Sequence, residues 1–274
     1  MFDHTFSICA YKQSPYLEKC IKSIMRQTIK TNVIMVTSTP NEYIKKLASK
    51  YRIPLYVRDG ASDIRDDWNF AYDKTETKWV TVAHQDDLYG KRYVEEISSK
   101  IDSVYKKAFR NDADVKKYKD ILAVLTDYKP IKNNQIGKRD INSRIRRFLR
   151  IPLKSDRLAG KTFWKKAVIS LGNSICCPTV TYNKEILGES FFTSELKFNI
   201  DWDTFYKLAE LKGIFAYVDK PLTFYRVHDD ATSKEFIENH LREKDDIYMF
   251  SKFWPKWIVK IIMVFYKKAY DTYG

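Results

Sequence analysis

The sequence predicts an α/β protein in which a mostly parallel sheet is covered by helices on both faces. In the first 90 residues, short apolar runs typical of strands alternate with segments whose apolar residues recur at helical spacing. The resulting order, βαβαβαβ, is typical of a parallel sheet with helical crossovers. With 274 residues, 44% of them apolar, the chain can enclose a sizeable core, which excludes disordered and fibrous classes.

The elements of this first half follow from local patterns. Residues 5–10 (TFSICA) form a β-prone run, and Ser14 and Pro15 are typical of the N-cap and first residue of a helix. An apolar stripe at helical spacing then comprises Leu17, Cys20, Ile21, Ile24 and Met25. The later predicted elements are a strand at 33–37, a helix at 41–51, a strand at 55–57, a helix at about 67–74 and a strand at 79–83.

The second half is less regular, but it shows no internal repeat and no low-complexity linker. We predict one domain over residues 1–234 and a C-terminal helical segment over 235–274. The predicted elements are a polar helix at about 91–109, a strand at 121–126, a helix in a basic segment, a helix at 202–212, strands at 214–218 and 222–227, and a helical tail from residue 236.

The net charge of +14 is concentrated in two short segments. Residues 138–154 carry +6 and residues 247–270 carry +5, so the rest of the chain is nearly neutral. An excess of positive charge is typical of proteins that bind one of three partners: nucleic acid, an anionic membrane surface or a phosphorylated substrate.

Composition also restricts the cofactor and the location. The chain has only 8 glycines and contains neither GxGxxG nor GxxxxGK[ST], so we expect a metal ion, not a glycine loop, to bind nucleotide phosphates. The four cysteines lack metal-ligand spacing and are expected to be reduced thiols. The absence of a signal-peptide pattern and of an 18-residue apolar run predicts a cytoplasmic protein.

Asp86 and Asp87 are the first candidates for chemistry, because they directly follow a predicted strand. Ligands of parallel sheets bind outside the carboxyl ends of the strands, and Mg²⁺ or Mn²⁺ is commonly held by carboxylates together with substrate phosphates. A solvated loop or a helix cap explains such a pair equally well in isolation. Its position at a strand end favours a metal site.

Two further clusters carry polar side chains at element ends. Asp201 and Asp203 begin a predicted helix, where capping explains at least one carboxylate, although such a group could also act as a general base. His228 follows the predicted strand 222–227; imidazole is a frequent metal ligand, but a lone histidine there is more often a hydrogen-bonded loop residue.

Five segments, taken in order, resemble the motifs of one family. They are residues 7–28 (SICAYKQSPYLEKCIKSIMRQT), Asn69 to Ala71 leading into HQDDLY at 84–89, Gly172 to Pro178, Ile200-Asp201, and YRVHDDATS at 225–233. This series resembles the family-2 glycosyltransferases over about residues 5 to 234. The resemblance implies the GT-A fold and inverting transfer of a sugar from a nucleotide donor to an acceptor.

The resemblance also implies roles for individual residues. Asp201 matches the catalytic base, and the metal ligands are Asp86, its neighbour Asp87 and His228, which would hold Mn²⁺ or Mg²⁺. The nucleotide-sugar donor is expected to contact residues at the strand ends, namely Ala10, Tyr11, Ser38, Asp63, His84 and Asp86.

Three positions depart from the family pattern. His84 stands where the first acid of the metal motif is usual, and Thr37-Ser38 stands where an acid commonly follows the second strand. Both departures leave the nucleotide open, with a UDP-sugar favoured over a dTDP-sugar. Ile200 replaces the glutamate that usually precedes the base, which leaves the base itself in place.

The two basic segments are amphipathic in pattern. In the tail, an apolar stripe lies roughly opposite lysines, which is typical of a helix in a membrane interface; a helix packed on the domain is the alternative. The stripe comprises Trp254, Trp257, Ile258, Ile261, Ile262, Phe265 and Tyr266. The basic helix, with apolar Ile141, Ile145, Phe148 and Leu149, allows the same two interpretations.

These patterns predict a peripheral enzyme of the inner membrane face. The expected acceptor is a glycan, linked to a polyprenyl diphosphate, in cell-surface polysaccharide synthesis. Three alternatives remain: a basic nucleic-acid-binding protein, a nucleotidyltransferase and a non-catalytic transferase-like subunit. The first leaves the acidic motifs unexplained, so we expect no nucleic-acid partner; the second usually has a glycine-rich basic loop, which is absent.

Overall fold

The computed structural model describes residues 2–109, 120–132, 134–227 and 241–267. Within these ranges the strands form one sheet in the order β3-β2-β1-β4-β8-β6-β9-β5, with β7 paired to β6. The strands are β1 His4–Cys9, β2 Asn32–Thr37, β3 Leu55–Val57, β4 Trp79–His84, β5 Leu88–Tyr89, β6 Ile121–Lys132, β7 Gln135–Ile136, β8 Val180–Asn183 and β9 Ile214–Arg226.

Helices connect and cover these strands. The α-helices are α1 Leu17–Ile24, α2 Glu42–Tyr51, α3 Ile64–Asp73, α4 Tyr93–Phe109, α5 Ile141–Leu149, α6 Asp156–Ala159, α7 Thr162–Ala167, α8 Lys184–Leu187, α9 Ile200–Glu210, α10 Leu241–Ser251 and α11 Lys256–Lys267. Two 3₁₀ helices, Ile151–Lys154 and Cys177–Thr179, lie between them.

The first half forms the predicted parallel sheet, and its register positions the candidate site. β1 pairs in parallel with β2 on one side and β4 on the other, so that Cys9 lies opposite Val36 and His84. The chain therefore leaves β1, β2 and β4 at the same edge of the sheet. The predicted α/β class is confirmed by this topology.

The second half mixes strand directions. β8 runs antiparallel to both β4 and β6, whereas β6 and β9 form a long parallel pair. The two strands predicted at 214–218 and 222–227 are one strand, β9, and the predicted break is wrong. Pro221, inside β9, pairs with Asp127 at a register shift, where a residue without an N–H is tolerated.

Two predicted helix starts are also wrong. Ser14 does not cap α1, which begins at Leu17 after an N-cap, Tyr16, that makes no side-chain capping bond. α3 begins earlier than predicted, at Ile64, because the carboxylate of Asp63 accepts hydrogen bonds from the first-turn amides. Ser14 instead makes a contact in the candidate site, and Asp63 lies at a helix terminus.

The C-terminal helices pack on the α/β core. Met249 and Phe250 of α10 are fully buried, and the Phe250 ring lies 5.0 Å from the ring of Trp202 on α9. Trp254 donates its indole N–H to the Ser170 carbonyl at 2.8 Å. The predicted boundary at residue 235 falls outside the described residues and stays a prediction.

α11 has apolar side chains on two faces. Val259 and Met263 are buried in the core, while other apolar residues face solvent. The exposed set comprises Trp257, Ile261, Val264 and Phe265. One face of α11 therefore packs on the domain, as the alternative interpretation predicted, and the other remains available. Across the described residues, none of the helices combines the length and apolarity that crossing a bilayer requires.

Candidate active site

The loops after β1 and β4 are joined by Gln85. Its side-chain oxygen accepts the Tyr11 amide at 2.9 Å, and its side-chain nitrogen donates to the Tyr11 carbonyl at 3.0 Å. The Tyr11 ring is 43% exposed at this edge and is available for contact with a ligand. Ala10 is buried, and its amide already donates to the Val36 carbonyl at 2.8 Å. Sequence reasoning missed Gln85, because nothing local marks its partner 74 residues away.

A carboxylate from α3 lies beside the loop after β2. Ser38 donates its hydroxyl hydrogen to Asp67 at 2.9 Å, and Asp67 also accepts from Arg58 at 2.7 Å and Ser62 at 2.8 Å. The sequence lacks an acid directly after β2. In the folded chain, the carboxylate of Asp67 lies beside the end of β2 instead.

Asp63 caps α3. Its Oδ1 accepts the amides of Arg65 and Asp66 at 3.1 and 3.3 Å, and its Oδ2 lies 3.5 Å from the Lys197 ammonium. Burial raises the pKa of Asp63, but the Asp66 amide and the Lys197 charge outweigh it, so the pKa is lowered overall. Capping accounts for this carboxylate, and its predicted contact with the donor stays a prediction.

Asp86 lies at the carboxyl end of β4, half-buried, with part of its surface open to solvent. Ser14 donates its hydroxyl hydrogen to Asp86 Oδ1 at 2.7 Å, and the Asp86 carbonyl accepts the Arg226 Nε–H at 2.9 Å. These contacts fix the loop from two sides. Asp86 is therefore positioned to meet a ligand at this edge.

Asp87 is 1% exposed and points into the protein. Its Oδ1 accepts the Arg226 amide at 2.8 Å, but its Oδ2 has no hydrogen-bond donor among the described residues. Burial, with the neighbouring Asp86 charge, raises the pKa of Asp87 well above its ordinary value, and Arg226 opposes that rise. A buried carboxylate oxygen without a donor is unusual and can be satisfied by a cation or by a proton.

Arg226, at the end of β9, links the acidic loop to other parts of the site. In addition to its contacts with Asp86 and Asp87, it donates to Asn134 at 2.9 Å, and its guanidinium lies 4.1 Å from the centre of the Tyr16 ring. Sequence reasoning quoted Arg226 within a motif but gave it no role. The signal that could have identified it is an arginine at the very end of a predicted strand.

The residues of this loop fit a hard divalent cation. Asp86 and Asp87 supply oxygen atoms, which Mg²⁺ and Mn²⁺ prefer, and the Oδ2 of Asp87 lacks a donor. The third predicted ligand, His228, lies outside the described residues. Among the residues that are described, no three His, Cys, Asp or Glu side chains form a cluster able to hold a metal ion. A donor's phosphates would have to complete such a site.

His84 stacks on Trp68, with ring centres 5.3 Å apart and planes inclined by 22°. Its Nε2 is buried without a hydrogen-bond partner in the described part of the chain. Burial lowers the pKa of His84 to about 4, although the Asp86 charge opposes this. A neutral aromatic ring thus occupies the position where the family usually has an acid.

Asp201, the predicted base, lies in the first turn of α9. Asn173 donates to its Oδ2 at 2.8 Å, and the Trp202 amide donates to its Oδ1 at 2.8 Å. Burial raises the pKa of Asp201 to about 6, against the opposing effects of the Trp202 amide, the Arg146 charge and the Asn173 hydrogen bond. Asp203, its neighbour, is instead paired with Lys252 and Lys207 and has a lowered net pKa because these bonds outweigh burial.

The pKa of the Cys176 thiol is affected by both the predicted base and the acidic loop. Burial raises the pKa of its thiol, and the negative charges of Asp87 and Asp201 raise it further. Both carboxylates therefore lie near this one side chain, although Asp87 and Asp201 are far apart in sequence. The fold brings the predicted base and the acidic loop to the same region of the molecule.

The chain belongs to glycosyl transferase family 2, since the profile of that family matches residues 5–159. It is therefore a glycosyltransferase with the GT-A fold. A search of curated proteins found no match.

Solved structures resemble the fold at low identity. Staphylococcus aureus TarS 1-349 in complex with UDP has a TM-score of 0.57 at 14% identity, covering 95% of this chain and 69% of that chain. TarS itself has a TM-score of 0.58 at 13% identity, and the match covers 96% of this chain and 42% of TarS. The mannosyltransferase PcManGT from Pyrobaculum calidifontis, in complex with GDP-Man and Mn²⁺, has a TM-score of 0.58 at 14% identity, covering 91% and 63% of the two chains.

Proposed function

We propose that this chain is an inverting, metal-dependent hexosyltransferase. The donor is a nucleotide-sugar, with a UDP-sugar favoured and a dTDP-sugar as the alternative. The acceptor is a hydroxyl of a glycan, linked to a lipid diphosphate, in cell-surface polysaccharide synthesis. The enzyme acts at the inner face of the membrane, to which it attaches peripherally.

The observation that carries the proposal is the environment of Asp201. A general base must be ionised at the working pH and must still accept a proton from the attacking hydroxyl, which a pKa of about 6 allows. The Asn173 amide holds Oδ2, and the Trp202 amide holds Oδ1. Asp201 would take the proton of the acceptor hydroxyl as that oxygen attacks the anomeric carbon from the face opposite the leaving nucleotide.

The donor side is supported by the edge at which β1, β2 and β4 end. Gln85 holds the backbone of Tyr11, whose side chain is exposed, and Ser38 is paired with a carboxylate. Asp86, Asp87 and His228 would hold the divalent cation, which when bound neutralises the charge of the departing diphosphate. UDP in a TarS complex, and GDP-Man with Mn²⁺ in PcManGT, support a nucleotide donor and a metal ion here.

A non-catalytic transferase-like subunit is the second candidate, and one observation favours it: His84 puts a neutral ring, stacked on Trp68, where an acid is usual. The two candidates differ in whether the donor is consumed. Slow hydrolysis of the nucleotide-sugar by the purified protein would support the enzyme. Binding of the nucleotide-sugar without turnover, whichever acceptor is added, would support the non-catalytic subunit.

A thermal-shift screen tests the donor and the metal together. Of UDP-, dTDP- and GDP-sugars, a UDP-sugar should raise the unfolding temperature of the full chain most in Mn²⁺ and much less in EDTA, because the cation joins the phosphates to the acidic loop. Asp86→Asn should lose most of the Mn²⁺-dependent shift, while the matched control Asp102→Asn, on an exposed position of α4, should keep it. An equal shift in EDTA would remove the metal from the proposal.

A further inference from the structure

Helix α5 turns its apolar stripe toward solvent, while Arg147 and Arg150 turn toward the domain. Ile141, Ile145 and Phe148 are 74%, 52% and 70% exposed, whereas Arg150, at the end of the helix, is 1% exposed. An amphipathic helix on a globular protein normally buries its apolar stripe. In α5, Arg147 and Arg150 attach the helix to its own domain, and the apolar side chains face solvent.

The inward charges have specific partners. Arg150 donates to Asp127 at 2.6 Å, and Arg147 makes two bonds of 2.9 Å to Asp219, which Lys154 also approaches at 2.6 Å. Arg139 pairs with Asp127 as well. These ion pairs account for the orientation of the helix, because unpaired buried carboxylates would be costly.

Other cations of the same region have no such partner. A cavity of about 670 Å³ between α5 and the β6–β7 hairpin is lined by six cations, without any carboxylate among its lining residues. Of these, the side chains of Lys129, Lys138 and Arg144 make no ion pair or hydrogen bond with any residue that the structure describes. The lining also includes apolar Phe148 and Ile151, both of them exposed. The cavity thus combines unneutralised positive charge with a hydrocarbon rim.

The same helix contacts the segment that positions the predicted base. Arg150 also donates to the carbonyl of Ser174, the residue after Asn173, which holds Asp201. Arg146, next to Arg147, acts electrostatically on Asp201. The helix that borders the cavity therefore also contacts the segment that positions the predicted base.

We propose that this cavity binds the diphosphate group of a membrane lipid, with the exposed side chains of α5 inserted among the hydrocarbon chains beside it. Charge complementarity selects the occupant: three unpaired cations suit a group with several negative charges. The hydrocarbon rim selects a lipid over a free anion, and burying exposed apolar side chains adds binding free energy. The inference rests on the proposed function in one respect, because it takes this lipid to be the carrier of the acceptor glycan.

Vesicle flotation of the full chain tests the proposal. The probes are phosphatidylcholine vesicles, the same vesicles with phosphatidylglycerol, and the same vesicles with undecaprenyl diphosphate at equal negative charge. We expect the chain to prefer the diphosphate vesicles by at least about tenfold, as charge-assisted contacts of this kind allow. Equal binding to the two anionic vesicles would overturn the diphosphate assignment.

Two double variants and one control locate the site. Lys138→Glu with Arg144→Glu should abolish the preference for diphosphate, and Ile141→Ser with Ile145→Ser should weaken binding to all anionic vesicles. The control, Lys19→Glu with Lys46→Glu, makes the same change in net charge on exposed positions of α1 and α2. Loss of the preference in this control as well would contradict the site. If inorganic diphosphate binds but the chain shows no preference among the vesicles, the cavity is a site for a free anion. That result would contradict the assignment of a lipid.

The donor assay separates this inference from the proposed function. If the Mn²⁺-dependent thermal shift by a nucleotide-sugar is present but the diphosphate preference is absent, the cavity proposal fails and the transferase proposal stands. If the preference is present without any donor shift, the lipid site stands and the proposed function fails. Circular dichroism of each variant establishes that lost binding does not reflect lost folding.

Discussion

At the scale of the residue, Asp201 has the two properties that a general base needs, a fixed orientation and a tuned pKa. Asn173 and the Trp202 amide supply the orientation, and Trp202 is itself anchored by its indole bond of 2.9 Å to the Ile169 carbonyl. Burial supplies the pKa of about 6. The same side chain placed in solvent would be a weaker base near neutral pH.

Asp201→Asn should lower the rate of sugar transfer by about 10²- to 10⁴-fold, because an amide cannot accept the hydroxyl proton. Donor affinity should be nearly unchanged, and calorimetric titration of nucleotide-sugar with Mn²⁺ measures it. Asp203→Asn is the matched control, since Asp203 is held by lysines. Full transfer activity in Asp201→Asn would remove Asp201 from the role.

The pH profile of the wild-type enzyme should reflect the same carboxylate. Asp201 acts as a base only when ionised, and its pKa is raised to about 6, so the rate should rise with pH through about 6 and then level off. A kcat/KM that stays nearly constant between pH 4.5 and 8, as a carboxylate of ordinary pKa would give, would contradict the assignment.

Single residues differed in how well the sequence predicted them. Asp86, Asp87 and Asp201 were identifiable because carboxylates at element ends are a local pattern. Gln85 and Arg226 were not, because their partners are distant in sequence and only the fold brings them together. The predicted roles of these carboxylates remain predictions.

At the scale of the element, α5 shows why a sequence pattern does not determine orientation. The stripe of Ile141, Ile145 and Phe148 predicts an amphipathic helix, and the helix forms over Ile141–Leu149. Which face turns inward depends on Asp127 and Asp219, carboxylates in β6 and β9 that the local pattern does not include. The first four strands, β1 to β4, were predicted within one residue, since apolar runs mark the interior of a sheet, whereas β6 extends beyond its predicted end at 126 to Lys132, and β5, β7 and β8 were not predicted.

Arg150→Met should destabilise the protein by about 3 kcal/mol, because it removes a partner of buried Asp127. Urea unfolding followed by circular dichroism measures the change. The control Arg144→Met, at an exposed position of the same helix, should stay within about 0.5 kcal/mol. Equal effects of the two substitutions would contradict a structural role specific to Arg150.

At the scale of the whole molecule, the C-terminal helices are attached through large apolar side chains. Phe250 is fully buried, with its ring 5.0 Å from that of Trp202 and 5.0 Å from that of Tyr266. The sequence predicted the helices but left open whether the tail packs on the domain, since α11 carries apolar residues on more than one face. Some positive charge of the basic segment, residues 138–154, is neutralised within the fold, because Asp127 and Asp219 pair with its arginines.

Phe250→Ala should cost about 3 to 5 kcal/mol of unfolding free energy, with a single cooperative transition, if α10 belongs to the same core as the sheet. Phe265→Ala, on the exposed face of α11, should change stability by no more than about 0.5 kcal/mol. Differential scanning calorimetry measures both. A separate low-temperature transition in Phe250→Ala would indicate an independent C-terminal unit.

The central claim is that a nucleotide-sugar binds where β1, β2 and β4 end. Hydrogen–deuterium exchange of the full chain, with and without UDP and Mn²⁺, tests it without knowledge of the sugar or the acceptor. We expect protection in three loops, at residues 10–15, 37–41 and 84–88, and no change in α5. Protection confined to α5 and the β6–β7 hairpin, or no protection with any of UDP, dTDP and GDP, would contradict it.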